Sequence, residues 1–277
     1  MKLYKTKKAI LIENGKKFFL LEDEDWDNFV NDDNLFKKMI RLSNANKPVK
    51  NIENILEELA APIQSQELWA AGVTYLRSKI ERQEESKDAG GGDFYAHVYE
   101  AERPELFFKA TKQRIANPGG KVRIRKDSAW NVPEPELTLM ITSSGKIVGY
   151  TIGNDMSSRS IEGENPLYLP QAKTYEGCAA LGPCIYITEE PLSSETLIHL
   201  EIQRKKENVF TGDVKINQIK RKFDELVSFL YRECSFPNGS LLMTGTGIVP
   251  STDFTLQSGD GILITIEPIG TLINIVE

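Results

Sequence analysis

The segment between Trp130 and Asp155 restricts the fold more than any other part of this chain. Two β-rich runs, 137–142 and 147–152, flank Ser144-Gly145, which reads as a two-residue hairpin loop. If Ser143 pairs with Lys146, opposed positions sum to 289, so Glu134 faces Asp155 and Glu136 faces Gly153. A register wider by two residues puts Asp155 opposite Glu136 instead. In both registers the three carboxylates share one face, because only an odd slip exchanges the faces of a strand. Opposed Cβ atoms in a hairpin lie about 5 Å apart, which gathers three carboxylates around one point. Bare, they would repel, and at least one would stay protonated. A hard divalent cation removes that conflict, and an all-oxygen donor set points to Mg²⁺, Mn²⁺ or Ca²⁺ rather than zinc. The competing reading is of ordinary acidic residues on a solvated strand end. Pro133 and Pro135 stiffen the approach and mark an edge strand.

The rest of the composition narrows the class. With 277 residues, 40% of them hydrophobic, the chain can bury a proper core as one large domain or a main domain with an appendage. A net charge of −6 is wrong for neutralising phosphates, so no nucleic-acid partner is expected. No apolar run approaches the roughly 20 residues of a membrane span, and the apolar stretch after the first lysines is too short for a signal-peptide core. Cys178, Cys184 and Cys234 are odd in number and lack CxxC spacing. They suggest buried thiols in a reducing cytoplasm rather than a disulfide framework or a zinc site.

Two textures divide the chain. Residues 1–62 read as a small α+β accessory domain. It comprises a hairpin around Asn14-Gly15, an acidic Asn-rich stretch, and a helix over 51–60 built on Ile52, Ile55, Leu56 and Leu59 and ended by Pro62. From residue 63 onward the chain turns strand-rich, with further strands at 184–188, 197–204 and 261–267. A helix over 215–233 puts Ile216, Ile219, Phe223, Leu226, Val227 and Leu230 on one face, and Pro237-Asn238-Gly239 closes it. Residues 79–95 join a charged helix-prone run to a glycine triplet, a candidate lid or a plain solvent loop. The expected class is mixed α+β, rich in strand.

Taken with Gly72-Val-Thr-Tyr-Leu-Arg-Ser78, Pro104-Glu-Leu-Phe-Phe-Lys109, Gly153-Asn-Asp-Met-Ser-Ser-Arg159, Lys173, Gly245-Thr-Gly247 and Gly259-Asp-Gly261, the carboxylate hairpin resembles the fumarylacetoacetate hydrolase superfamily. The motifs run in order from about residue 67 to the end. The resemblance implies a β-roll catalytic domain over 63–277, a Mg²⁺ held by Glu134, Glu136 and Asp155, and a homodimer or homotetramer. Hydrolase members carry Gly-x-Asn-Tyr-x-x-His-x-x-Glu, in which the histidine activates water. Here Gly72, Tyr75 and Glu81 match, but Thr74 replaces the asparagine and Ser78 the histidine. Serine is no base near neutral pH without a partner. Of the two histidines, His199 alternates within a strand and reads as structural, while His97 lies beside the possible lid.

Within the superfamily the Thr-Tyr-x-Arg-Ser variant, with lysine at 173, is most similar to 2-keto-3-deoxy-pentonate dehydratases of the D-arabinonate type. That resemblance implies Lys173 and Glu105 as the acid–base pair. The substrate is then a small 2-keto acid, which can chelate a cation through its carboxylate and keto oxygens. The cation stabilises the enolate formed when a C3 proton leaves. The C4 hydroxyl departs next, giving 2-oxoglutarate semialdehyde. Lys173 is assigned as C3 base, for which it has to be neutral, and Glu105 as acid at the leaving hydroxyl, although the two could exchange roles. Tyr75, Arg77, Ser78 and Thr246 are candidates for holding substrate, Arg77 through its guanidinium fork. Arg159 and Lys109 could equally serve structural salt bridges. The alternatives are a C–C bond hydrolase of acylpyruvates or fumarylacetoacetate-like diketo acids, decarboxylation or tautomerisation of keto acids through the same enolate, and a non-catalytic metal- or ligand-binding protein.

Overall fold

The computed structural model describes residues 1–85 and 97–277. Among these, two open sheets carry the fold, one of eleven strands and one of five. The centre of the large sheet is the expected hairpin, β9 (Asn131–Ile141) and β10 (Ile147–Ser158). On one side β10 pairs with β11 (Ala179–Tyr186), which continues to the N-terminal strands β1 (Lys2–Thr6), β2 (Ala9–Asn14) and β3 (Lys17–Glu22). On the other side β9 pairs with β14 (Ser240–Met243), then β5 (Glu67–Gly72) and β6 (Glu105–Ala110). The N-terminal residues thus extend the same sheet that bears the carboxylates. The small sheet runs β13 (Glu207–Lys215), β12 (Leu197–Arg204), β15 (Gly261–Ile266), β16 (Gly270–Val276) and β8 (Lys121–Val122), while the short strands β4 (Leu59–Ala60) and β7 (Ile115–Ala116) join the large sheet on β1 and β11.

Alternation along β9 builds two cores. Leu137, Leu139 and Ile141 pack into the cluster shared with Ile198, Leu200, Ile262 and Ile264 of the small sheet. Met140 belongs to the cluster on the opposite face, with Trp26, Phe29, Leu35 and Met39 of the N-terminal helices. Such burial of large apolar side chains contributes about 1.5–3 kcal/mol each. The even-numbered face of β9, which carries Glu134 and Glu136, is the face toward this second core.

The hairpin register holds where the carboxylates are, but it arises differently at the turn. Glu134 is the partner of Asp155 and Glu136 of Gly153. At the loop, however, Ile141 pairs with Ile147 and the Thr142 N–H donates to the Lys146 carbonyl, leaving three loop residues rather than two. Gly145 takes φ +84°, the left-handed position such a loop requires. A bulge at Val148 then adds one residue to β10, and two odd changes cancel. Pro133 and Pro135 are tolerated because the ladder from β9 to β14 starts only at Thr138.

Other expectations are corrected. The helix expected over 51–60 is a single turn, Glu53–Leu56, because Leu59–Ala60 pairs with β1. The helix expected from 215 begins at Phe223 and ends at Leu230. Lys215 closes β13, and Ile219 bridges to Tyr75, so the backbone there is drawn to a partner rather than into a helix. Two helices, Trp26–Val30 and Leu35–Ala45, form in the acidic Asn-rich stretch, the first with the Asp25 carboxylate accepting the Asn28 N–H. The strand expected at 184–188 instead spans Ala179–Tyr186. The helix Leu76–Glu85 opens the candidate lid, whose glycine triplet lies outside the described residues. Among the described residues no helix is long and apolar enough to cross a membrane.

Candidate active site

The carboxylates of Glu134, Glu136 and Asp155 are all buried, and one oxygen from each lies within 4.8 Å of the other two. The face they share follows from strand alternation, and their burial from what covers that end of the sheet. The helix Leu169–Lys173 lies over it, as does the helix Arg159–Glu164 that continues directly from β10.

Cations from both helices and from β6 enter the cluster. Lys173 Nζ lies 2.8 Å from Glu134 Oε2, 3.2 Å from Asp155 Oδ2 and 2.5 Å from Ser157 Oγ. Arg159 Nη2 donates to Glu134 Oε1 at 2.6 Å, and Lys109 Nζ stands 2.6 Å from Asp155 Oδ1. Glu162, a fourth buried carboxylate, stands 3.3 Å from Lys173 Nζ and 3.5 Å from Arg159 Nε. Pairing of this kind is what makes buried charges tolerable.

Glu136 is held differently. Its Oε2 accepts the Gly245 N–H at 2.5 Å. Burial, then Asp155, then Glu134 push its carboxyl well above the usual carboxylate range, against a smaller opposite pull from Lys173 and that N–H. Gly245 has φ +92°, and a Cβ there would strike the Thr74 hydroxyl and the Ala71 carbonyl, so only glycine brings this N–H in. Three buried, mutually repelling oxygen donors fit a hard divalent cation in number and chemistry.

A cleft opens beside the cluster. Its wall includes Glu134, Glu136, Asp155 and Lys173, together with Ser78 and Thr246. Glu105 flanks it: its carboxylate lies over Gly72, a wall residue, where any Cβ would collide with it. Ser78 Oγ donates to the Tyr75 carbonyl at 2.8 Å and accepts the Tyr75 N–H at 3.2 Å, so it also ties the helix start. Tyr75 is 1% exposed and packs against Gly247 behind the cleft. Burial, then Glu136, raise its phenol above the ordinary value. Arg77 is exposed, donates to the Val249 carbonyl at 3.2 Å and does not line the cleft. Neither histidine lines the cleft: His97 is exposed, and His199 pairs with Asp213 on the small sheet.

The sequence leaves Arg159 and Lys109 undecided between site and salt bridge and does not single out Ser157, Glu162, Phe107 or Val73. Ser157 could have been found, two residues beyond Asp155 on the same strand face. Phe107 likewise stands two beyond Glu105, and it lines the cleft. Val73, another wall residue, adopts φ +52°, uncommon for a β-branched side chain. Glu162 has no local signal.

An open, strand-rich α+β scaffold with a buried carboxylate–lysine cluster where two strands end defines the class. Residues 68–277 match the family described as fumarylacetoacetate (FAA) hydrolase, C-terminal, and the chain belongs to that family. It is 48% identical over 214 residues, 77% of this chain and 73% of the relative, to a Haloferax volcanii protein named "Probable 2-keto-3-deoxyxylonate dehydratase". It is 44% identical over 219 residues, 78% and 73% respectively, to the 2-dehydro-3-deoxy-D-arabinonate dehydratase of Saccharolobus solfataricus. A solved 2-keto-3-deoxy-D-arabinonate dehydratase complexed with magnesium and 2,5-dioxopentanoate superposes with a TM-score of 0.84 at 37% identity, over 100% of this chain and 99% of that one.

Proposed function

We propose that this chain is a Mg²⁺-dependent hydro-lyase acting on a 2-keto-3-deoxy sugar acid. The substrate is 2-keto-3-deoxy-D-arabinonate or its xylonate-derived equivalent, and the product is 2,5-dioxopentanoate (2-oxoglutarate semialdehyde). One observation carries the reading: the buried carboxylate–Lys173 cluster sits in a chain 44–48% identical to dehydratases named for such acids.

Glu134, Glu136 and Asp155 would hold the cation. When bound, Mg²⁺ supplies Lewis-acid stabilisation of the charge that develops on the keto oxygen. Lys173 takes the C3 proton. It must be neutral to do so, and Ser157 can then donate to the amine, since a hydroxyl both gives and receives hydrogen bonds. Glu105 gives a proton to the C4 hydroxyl, which departs as water and leaves a C3=C4 double bond; tautomerisation then moves hydrogen from C5 and its hydroxyl to C3 and C4, so the alkene is reduced as the C5 alcohol becomes the aldehyde. Ser78 and Thr246 present hydroxyls to the substrate from the wall, Tyr75 backs Ser78, and Arg77 meets the solvent-facing end. Ser78 in place of a histidine base argues against the C–C hydrolase alternative.

On this reading the protein works in the cytoplasm, in pentose breakdown, as a homodimer or homotetramer. Residues 63–277 are the catalytic part and 1–62 an accessory domain. The test is an assay with Mg²⁺ and 2-keto-3-deoxy-D-arabinonate, trapping the semialdehyde with semicarbazide. Turnover should vanish with EDTA, in Glu134→Gln and in Lys173→Ala. An inert sugar acid together with cleavage of acylpyruvates would refute the dehydratase reading.

A further inference from the structure

We infer that Lys109 is a positioning residue, a buried strut that sets the spacing between the carboxylate platform and Lys173. The strand is built to aim it. Leu68 pairs with Ala110 and Trp69 with Phe108, so Lys109 is the extra residue of a bulge in β6. Bulges of this kind break the alternation of a strand and redirect a side chain.

The side chain is fully buried, an environment that an ammonium tolerates only when its protons are taken up. Lys109 Nζ donates to the Met156 carbonyl at 3.0 Å and to the Lys173 carbonyl, and it forms a close ion pair with Asp155 Oδ1. Two of these partners belong to the metal-ligand strand. The third is the main chain of Lys173 itself, where its helix ends. The Lys109 carbonyl accepts the Thr174 hydroxyl at 3.2 Å and fastens the same junction from behind. Lys109 does not line the cleft, so it acts through Asp155 and Lys173. This inference rests on Lys173 being the proton-transfer residue.

Lys109→Met keeps the stem and deletes the ammonium. Circular dichroism should show a folded protein. Mn²⁺ affinity, read by electron paramagnetic resonance, should not weaken, because the group removed is itself a cation beside a ligand carboxylate. At saturating Mg²⁺, kcat should fall about 10- to 100-fold, as a misplacement below 1 Å produces, with KM held within about threefold. Wild-type kcat, or a loss of kcat that excess metal restores, would overturn the strut. Lys109→Arg retains the charge that keeps Asp155 compensated, so it stays testable if the methionine variant does not fold. Its planar fork cannot reproduce the three convergent contacts, and it should show the same loss of kcat, whereas full activity overturns the inference. Lys173→Ala run in parallel separates the two ideas. If it is active, the dehydratase mechanism falls; if it is inactive beside a fully active Lys109→Met, only the strut falls.

Discussion

Replacing Gly72 by alanine should disable the site while leaving the fold intact. Gly72 is the cross-strand partner of Glu105, and the glutamate carboxylate occupies the space a Cβ would need. The carboxyl carbon lies 2.5 Å from the ideal Cβ position, against 3.4 Å for the start of ordinary contact. That carbon has to retreat by at least about 0.9 Å and Oε2, which is closer still, by more, and displacements of about 1 Å at a reacting group cost on the order of 100-fold. The backbone at Gly72 does not take a positive φ, so an alanine backbone is unstrained. The gain of about 0.5–1 kcal/mol from replacing a strand glycine offsets the cost of moving the flexible end of a glutamate. Melting should therefore change little while kcat falls about 100-fold. Steady-state kinetics on Gly72→Ala, Glu105→Gln and the double variant read this as a cycle, in which the double variant should lose no more than Glu105→Gln alone. Wild-type kcat in Gly72→Ala would refute the placement of the proton donor over Gly72.

Two further outcomes concern the carboxylates. Glu136, held above its unfolded value, binds more protons in the folded protein than in the unfolded one, so the metal-free protein loses stability as pH rises from the unfolded value toward the folded one. Glu136→Gln should flatten that slope in EDTA melts run upward in pH from the ordinary carboxylate range, and an unchanged slope would exclude the burial of Glu136 beside Asp155 and Glu134 as its source. Mg²⁺ at about 100 times its dissociation constant should stabilise the protein by about 2.7 kcal/mol and raise its melting temperature by about 5–10 °C. Asp155→Asn should abolish most of that rise in calorimetry, and an equal rise in the variant would place the cation elsewhere.

Much of this site is legible in local sequence because strand alternation is set by covalent geometry. Glu134, Glu136 and Asp155 share a face in any even register, and the same alternation extends to Ser157. The helices were less legible. Periodicity at 51–60 and 215–222 suggested helix, yet Leu59, Ala60 and Ile219 pair with β1 and Tyr75 instead. Backbone groups that find distant partners override an intrinsic pattern. Of the two registers the sequence leaves open, the one with Glu134 opposite Asp155 forms although the two-residue loop does not, since the extra loop residue and the bulge at Val148 compensate. No local rule announces such a compensation.

The convergence of charge is a tertiary matter. Lys109, Arg159 and Lys173 approach Glu134 and Asp155 from a bulged strand and two short helices, and Glu162 pairs with Lys173 and Arg159. Their spacing along the chain carries no signal, because the contacts are selected by desolvation: each charge buried at the strand ends has to find an opposite charge or a hydrogen bond within reach. The residues alone place three carboxylates on one face and imply a hard cation. Only the packing of β6 and the two helices over that face decides which cations accompany them and which oxygens each one holds.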